Sequence, residues 1–580
     1  MIPTRLPLFT AAVLLGASAL PALADVRLPA IFGDHMVLQQ SIDLPVWGKA
    51  DPGEAVMVSL CGQTVHTTAG ADGKWSVKLA PLKASAQPVS MTVSGHNTVT
   101  FQDVLVGDVW IASGQSNMVF GMSNAHNSIE EVPKASHPTI RLFLVSPRPS
   151  FTPEDDVAPG DPKMPLDGHW RVCTPDSVTK EGGWGGFSAV AYFFGKEIQE
   201  KTALPLGLIE CAAGGKKIQA FTSLEALQKI PEGAPYVKWW EDDRKSAEAQ
   251  KSSYPERKAT YDVAMAQWMK DYGEGLKKAR EEWNKQCEQA KIDNLPFPPR
   301  PESKVPPPQW PDGTPKVPSI SLFNGMIHPI IPYGIKGVIW YQGESNADRP
   351  EEYGKLFASM IGDWRERWQQ GDFPFLFVQL ANYAYRTGWA SVRDMQFRSL
   401  KIPNTAMAVA IDVGEVNEIH PRDKADVGHR LALAARHLVY RETLPFSGPL
   451  YDSMKTEGGA IRIAFTHTDG GLKIGAHPKI YATDVLSVPT ELRSFVITGN
   501  DRIWHPATAK IEGETVLVSS PEVKDPVAVR YGWENCPDCH LYNGAGLPAS
   551  PFRTDDWVDT MVKAPTPPPT EKKVTPPRGS

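Results

Sequence analysis

A chain of 580 residues exceeds the size at which one hydrophobic core stops growing, so two or three domains are expected. With 41% hydrophobic and 22% charged residues, the composition is that of a globular protein. A net charge of −6 and an isoelectric point near 6.2 argue against a nucleic-acid or anionic-membrane partner, either of which calls for a basic face.

The first element is not part of the fold. Arg5 supplies a positive flank, Leu6 to Leu20 is apolar but short for a bilayer span, and Ala22-Leu-Ala24 fits the small-x-small cleavage rule. Residues 1–24 therefore read as a signal peptide cut after Ala24, which places the mature chain in the periplasm or outside the cell. No later stretch is long and apolar enough to be transmembrane. Six cysteines in a chain this long do not make a disulfide scaffold. Cys536 and Cys539 form C-x-x-C before His540, a haem-attachment pattern on its face. Nothing around it suggests a haem pocket, so a local disulfide or two free thiols is the expectation.

Residues 25–105 show short alternating runs such as Ala55–Leu60 and Trp75–Leu79, which predict a small antiparallel β domain. From 106 to 445 strand-like apolar runs alternate with helical segments. The strands are Val106–Ala112, Leu206–Cys211, Gly337–Tyr341, Phe373–Leu380 and Ala406–Ile411. The helices are Phe187–Lys201, Tyr353–Gln370 and Ala425–Tyr440. That alternation predicts an α/β domain with a parallel sheet covered on both faces, in three α/β/α layers, with its ligand at the carboxyl ends of the strands. Residues 225–320 interrupt it, helix-prone over Tyr261–Lys291 and proline-rich over Pro296–Pro318, and read as an inserted arm or lid. Residues 446–562 return to short β runs such as Ala460–Phe465. The 563–580 tail is Pro/Lys/Thr-rich and expected to be disordered.

Four strand ends carry polar segments. Gly114-Gln-Ser-Asn117 presents Ser116 at a tight turn, where its hydroxyl is placed either to attack a carbonyl or merely to cap a helix. Glu210-Cys-Ala-Ala-Gly-Gly-Lys216 brings paired glycines whose N–H groups suit an oxyanion, or simply a turn. In Trp340-Tyr-Gln-Gly-Glu-Ser-Asn346, Gln342 and Asn346 are side-chain donors and Glu344 an acceptor or base. In Asp412-Val-Gly-Glu-Val-Asn-Glu-Ile-His-Pro421, His420 can take a proton from Ser116, although a His before Pro is commonly a loop residue.

Together, Gly114-Gln-Ser-Asn-Met118, Trp340–Asn346 and Ile419-His-Pro421 resemble the sialate O-acetylesterase family of the SGNH hydrolases. Asp34–Gln39, Phe187–Tyr192, Phe323–Ile327 and Gly546–Arg553 carry the likeness from about Leu28 to Trp557. The resemblance implies an SGNH fold, here with β-sandwich or jelly-roll-like flanking domains, and a serine esterase that needs no cofactor or metal. It implies Ser116 as nucleophile and His420 as base. The oxyanion hole would be the Ser116 N–H, Gly214 or Gly215, and the Gln342 side chain. Gln115, Asn117, Glu344 and Asn346 are candidate substrate contacts.

Three positions depart from the family pattern. Asn417 stands where an Asp orienting the histidine is usual, which leaves Asp412, Glu415, Glu418 or a backbone carbonyl for that task. Lys216 replaces a usual Thr or Ser and is either a carboxylate anchor or a solvated side chain. His328 replaces a small residue and either lines the pocket or packs in its loop. The implied partner is an O-acetylated sugar, sialic acid or an acetylated xylan being equally compatible. A paired-carboxylate glycosidase, a metallohydrolase and a carbohydrate-binding protein remain rivals that these motifs do not favour.

Overall fold

The structure, a computed structural model, describes residues 25–557 apart from 296–297, 300, 309–320, 385–386, 481–483 and 485–486. The expected signal peptide, the 563–580 tail and part of the proline-rich stretch lie outside the described residues.

Six strands build the amino-terminal unit: β1 (Val37–Gln39), β2 (Leu44–Lys49), β3 (Ala55–Leu60), β4 (Gln63–Thr68), β5 (Lys74–Leu79) and β6 (Ser85–Ser94). In β5 the apolar residues Trp75, Val77 and Leu79 are buried and the alternate lysines exposed, the period-two pattern of a half-buried strand. β2 pairs antiparallel with β5, and β3 with β4 and β6.

The seventh strand, β7 (Thr98–Gly114), joins this unit to the next. Its first half pairs antiparallel with β6, and from Asp108 it enters a parallel ladder. Its burial alternates up to Asp103 and is then complete, because from there both faces are covered. Residue 105, where the sequence changes character, lies inside this one strand.

The central sheet adds β8 (His137–Leu144), β9 (Arg171–Cys173), β10 (Leu206–Ala212), β11 (Gly337–Tyr341), β12 (Phe375–Gln379) and β13 (Thr405–Val409). Their order is β13-β12-β11-β7-β10-β8-β9. All neighbours are parallel except the edge pair β8–β9, so the sheet is mixed where the sequence predicts a parallel one. β8 and β9 fall where the sequence predicts no strand.

Two tryptophans show how the sheet is covered. Trp110 of β7 pairs in register with Gly337 of β11 and meets Phe194 of the Ala189–Thr202 helix at 5.0 Å. Trp340 is three residues beyond Gly337, hence on the opposite face, and stacks on Phe357 of the Pro350–Trp368 helix at 6.2 Å. The Lys424–Leu438 helix packs beside Ala189–Thr202, and Trp389–Arg398 beside Pro350–Trp368. The chain is thus a mixed α/β fold around this sheet.

Residues 225–320 contain the helices Ala234–Gln250, Tyr254–Trp268 and Glu274–Ile292, the last two joined by a π-helical turn at Met269–Gly273. Beyond the Lys424–Leu438 helix come two four-stranded antiparallel sheets. They are tied to the central unit by Gln379 donating to Ser550 Oγ at 2.9 Å and by the Arg553–Asp394 ion pair. No helix among the described residues is long and apolar enough to cross a membrane.

Candidate active site

The site begins where β7 ends between its two neighbours. Gly114 pairs with Tyr341 of β11 and Ala212 of β10, so three carboxyl ends lie side by side. Strands β8–β10 lie to one side of β7 and β11–β13 to the other, the crossover arrangement that opens a crevice at the strand ends. Gly114 has φ 134°, and a Cβ there would stand 2.1 Å from the Tyr341 carbonyl oxygen. Only glycine passes this close. Gln115 then donates its N–H to the same carbonyl, and Ser116 starts a single helical turn, Ser116–Val119. The cap position belongs to Gln115, which makes no side-chain cap bond, so Ser116 is not a helix cap. Its Oγ instead lies 2.8 Å from His420 Nε2.

His420 arrives on the loop after β13. Glu418 Oε1 accepts from both the His420 backbone N–H at 2.9 Å and Nδ1 at 3.1 Å. A carboxylate only accepts, so Nδ1 carries the proton and Nε2 offers its lone pair to Ser116. Burial acts to raise the Glu418 pKa, but the hydrogen bonds from His420 outweigh it and hold the carboxyl below its ordinary value. The other candidate acids are placed elsewhere. Asp412 is buried and binds Arg430 through both oxygens, at 2.6 and 2.8 Å, with the Tyr542 hydroxyl at 3.2 Å. Glu415 accepts the Arg422 N–H at 2.7 Å, and burial pushes its pKa up to about 7. Asn417 is exposed on the loop.

The glycine turn lies against the serine. A Cβ on Gly214 would be 3.7 Å from Ser116 Cβ. Among the described residues no group accepts from the N–H of Ser116, Gly214 or Gly215. The resemblance implies Gln342 as an oxyanion-hole donor. It is fully buried, and its amide nitrogen donates to Asn346 Oδ1 at 2.7 Å, Gln115 Oε1 at 3.2 Å and the Lys216 carbonyl at 3.3 Å. Asn346 Oδ1 also accepts the Ile218 N–H at 3.0 Å, and Gln115 Oε1 the Ser345 N–H at 3.2 Å. These buried amides brace the Gly214-Gly215-Lys216 turn from beneath and are enclosed rather than aimed at a ligand. Lys216 itself is exposed.

Below the serine lies a buried polar chain. Asn117 donates to Glu344 Oε1 and, at 2.9 Å, to the Ile419 carbonyl, and it accepts from Lys424 Nζ at 2.6 Å. Burial raises the Glu344 pKa and lowers that of Lys424 to about 7. The Lys424 ammonium lies over the rings of Phe120 and Tyr341, at 4.8 and 5.2 Å, contacts that partly offset its desolvation.

Residues 106–238 and 318–437 match the family described as carbohydrate esterase, sialic acid-specific acetylesterase. The sialate O-acetylesterase of Mus musculus is 30% identical over 91% of this chain and 94% of its own length. That of Homo sapiens is 27% identical over 91% and 92%. The crystal structure of a carbohydrate acetylesterase from Xanthomonas citri is 33% identical, with a TM-score of 0.69 over 92% of this chain and all of that one. The chain belongs to the sialic acid-specific acetylesterase family of carbohydrate esterases. It is a carbohydrate O-acetylesterase, a carboxylic-ester hydrolase.

Of the residues that the sequence singles out in this acetylesterase, His328 is not brought to the serine. Its Nδ1 bonds the Glu154 carbonyl at 3.0 Å, and it lines a separate cleft with Arg27, Trp47 and Asp155. His540 of the C-x-x-C-H segment has both ring nitrogens bonded, to the Gly475 carbonyl and Asp538, each at 2.7 Å. Cys536 and Cys539 are free thiols, the latter pushed up to about 12 by burial. His477, Asp538 and His540 cluster within reach of one ion, but the two imidazoles stack at 4.3 Å with planes 11° apart. A metal between them could not lie in the plane of both rings, as coordination requires. Sequence reasoning missed Lys424 and Trp184. Lys424 opens an amphipathic helix in a position that reads as solvated. Trp184 is flanked by pairs of glycines in Gly182–Gly186, the one signal that marks it.

Proposed function

We propose that this esterase removes O-acetyl groups from sialic acid through an acetyl-serine intermediate. The observation that carries the reading is the 2.8 Å contact between Ser116 Oγ and His420 Nε2 at the carboxyl end of β7. His420 takes the Ser116 proton as Oγ adds to the acetyl carbonyl. The N–H groups of Ser116 and of Gly214 or Gly215 receive the oxyanion, each donor being worth about 3 kcal/mol of barrier. The imidazolium, steadied by Glu418, returns the proton to the departing sugar oxygen. Water, deprotonated by the same histidine, then attacks the acetyl-serine and releases acetate, restoring the serine hydroxyl.

The sialate substrate is supported by the names of the mouse and human relatives and by an exposed cation, Lys216, at the rim of the glycine turn, where a substrate carboxylate would pair with it. Acetate release from 9-O-acetylated sialic acid and from acetylated xylo-oligosaccharide, measured side by side, tests the choice. Preference for the sialate, reduced by Lys216→Ala, is the expected result; preference for the xylan overturns the substrate and leaves the mechanism.

The same reading takes residues 1–24 as a cleaved signal peptide and the enzyme as periplasmic or secreted. It takes 106–445 as a three-layer SGNH domain carrying the 225–320 insertion, between β domains at 25–105 and 446–562. Support comes from the helices on both faces of the sheet and the antiparallel strands on either side of it in sequence.

A further inference from the structure

Trp184 is 46% exposed, and it stands beside the catalytic histidine. Its ring meets that of His420 edge-on, with centroids 4.9 Å apart and planes at 78°. Phe120 packs on it from another side, at 5.2 Å and 78°. The backbone beneath is fixed. The Trp184 carbonyl accepts from the Gly121 N–H at 3.0 Å and from Asn124 Nδ2 at 3.2 Å. Gly185 and Gly186 adopt φ of 81° and 100°, and a Cβ on either would fall 2.1 Å from Asn124 Nδ2 or the Val178 carbonyl oxygen. The chain is thus pressed against its neighbours immediately after Trp184, while the ring itself stays half in water. A half-exposed indole beside His420, on a backbone held in place, offers an apolar face to whatever binds there.

We propose that Trp184 is the sugar platform of this esterase. The apolar C–H face of the pyranose that bears the acetyl group stacks on the indole, which presents the ester to Ser116. This rests on the proposed deacetylation of a sugar and adds to it the surface that recognises the ring. An indole suits this task, since it is a rigid apolar plane with little conformational freedom to lose on binding. Trp184 acts on the alcohol part of the ester, not on the acetyl group, and that separates its role from support of His420.

The test compares 9-O-acetylated sialic acid with triacetin, an acetyl ester without a ring, for wild type, Trp184→Leu and Trp184→Phe. Leucine keeps an apolar contact for the His420 edge but offers no plane; phenylalanine restores one. For Trp184→Leu we expect KM for the sugar ester to rise about tenfold with kcat within about twofold, and kcat/KM for triacetin within about twofold. Trp184→Phe should recover most of the KM. An equal fall on both substrates would assign Trp184 to holding His420, and an unchanged sugar KM would remove the platform. Wild-type enzyme that hydrolyses triacetin but no acetylated sugar would overturn the proposed function first, and this inference with it.

Discussion

The Asn117 side chain donates to the carbonyl of Ile419 at 2.9 Å, tying the residue after Ser116 to the residue before His420 across 302 positions of sequence. The same amide accepts from the buried Lys424 and donates to the buried Glu344. The Ser116–His420 distance is therefore set by a rigid polar strut and not by the loop alone.

Removing that strut should separate the pair without touching either member. Asn117→Ala is expected to lower kcat by about 10²-fold, the order of a misplaced general base, with a smaller change in KM. Leaving Lys424 and the Ile419 carbonyl unpartnered should also cost about 1–3 kcal/mol of stability. Initial rates of acetate release and a urea midpoint measure the two effects. Wild-type kcat in the variant would show that the loop holds His420 unaided.

Glu418 and Asp412 should respond differently to amide substitution. Glu418→Gln keeps the acceptor for His420 but removes the charge that steadies the imidazolium. Its side chain is 50% exposed, so water screens that charge, and a loss in kcat of about tenfold is expected. Asp412→Asn strips the buried Arg430 of its bidentate counter-charge and leaves it Asp426 at 3.7 Å, which should cost about 3 kcal/mol of stability while the folded fraction keeps its kcat. The reverse pattern would make Asp412 the orienting acid.

Gly114→Ala is expected to destabilise the protein by about 3 kcal/mol or more. The added carbon would have to move the Tyr341 carbonyl, and alanine is strained at a φ of 134°. The urea midpoint reads this directly. A change below about 0.5 kcal/mol would mean that β11 shifts freely at the site, against its burial on both faces.

Glu415 gives a pH signature. Its pKa is about 7 in the folded chain against an ordinary value of 4.5, so folding favours the protonated form. The stabilisation is complete below pH 4.5 and is lost as pH rises through 7. Glu415→Gln should therefore gain stability relative to wild type between pH 4.5 and 7, by up to about 3 kcal/mol at pH 8. Urea titrations at pH 5 and 8 test the sign; a variant that is relatively weaker at pH 8 would contradict it.

Strand–helix alternation made β7, β10, β11, β12 and β13 legible, because strands buried on both faces read as unbroken apolar runs. β8 was not, since His137-Pro-Thr opens it with residues typical of a turn, and β9 is only three residues long. Ser116 and His420 sit in short polar segments after apolar strands, but that pattern left each with a structural alternative, and the resemblance to the family is what implied them as a pair. Choosing Glu418 over Asp412 and Glu415 was not possible from spacing, as all three share one ten-residue loop and only tertiary contacts with Arg430 and the Arg422 N–H divert the other two. The resemblance to the family implied Gln342 as an oxyanion-hole donor. The structure turns it inward, where it donates to the Lys216 carbonyl and to Asn346 Oδ1.

The central claim is that Ser116, activated by His420, hydrolyses acetyl esters of sugars. It is tested most directly by acetate release from 9-O-acetylated sialic acid with wild type and Ser116→Ala at equal folded concentration, checked by circular dichroism. The account predicts release by wild type and a loss of at least about 10³-fold in the variant, whose fold and melting temperature stay unchanged. A variant that keeps more than about a tenth of the wild-type rate, or a wild type that releases acetate neither from this ester nor from acetylated xylo-oligosaccharide, would contradict it.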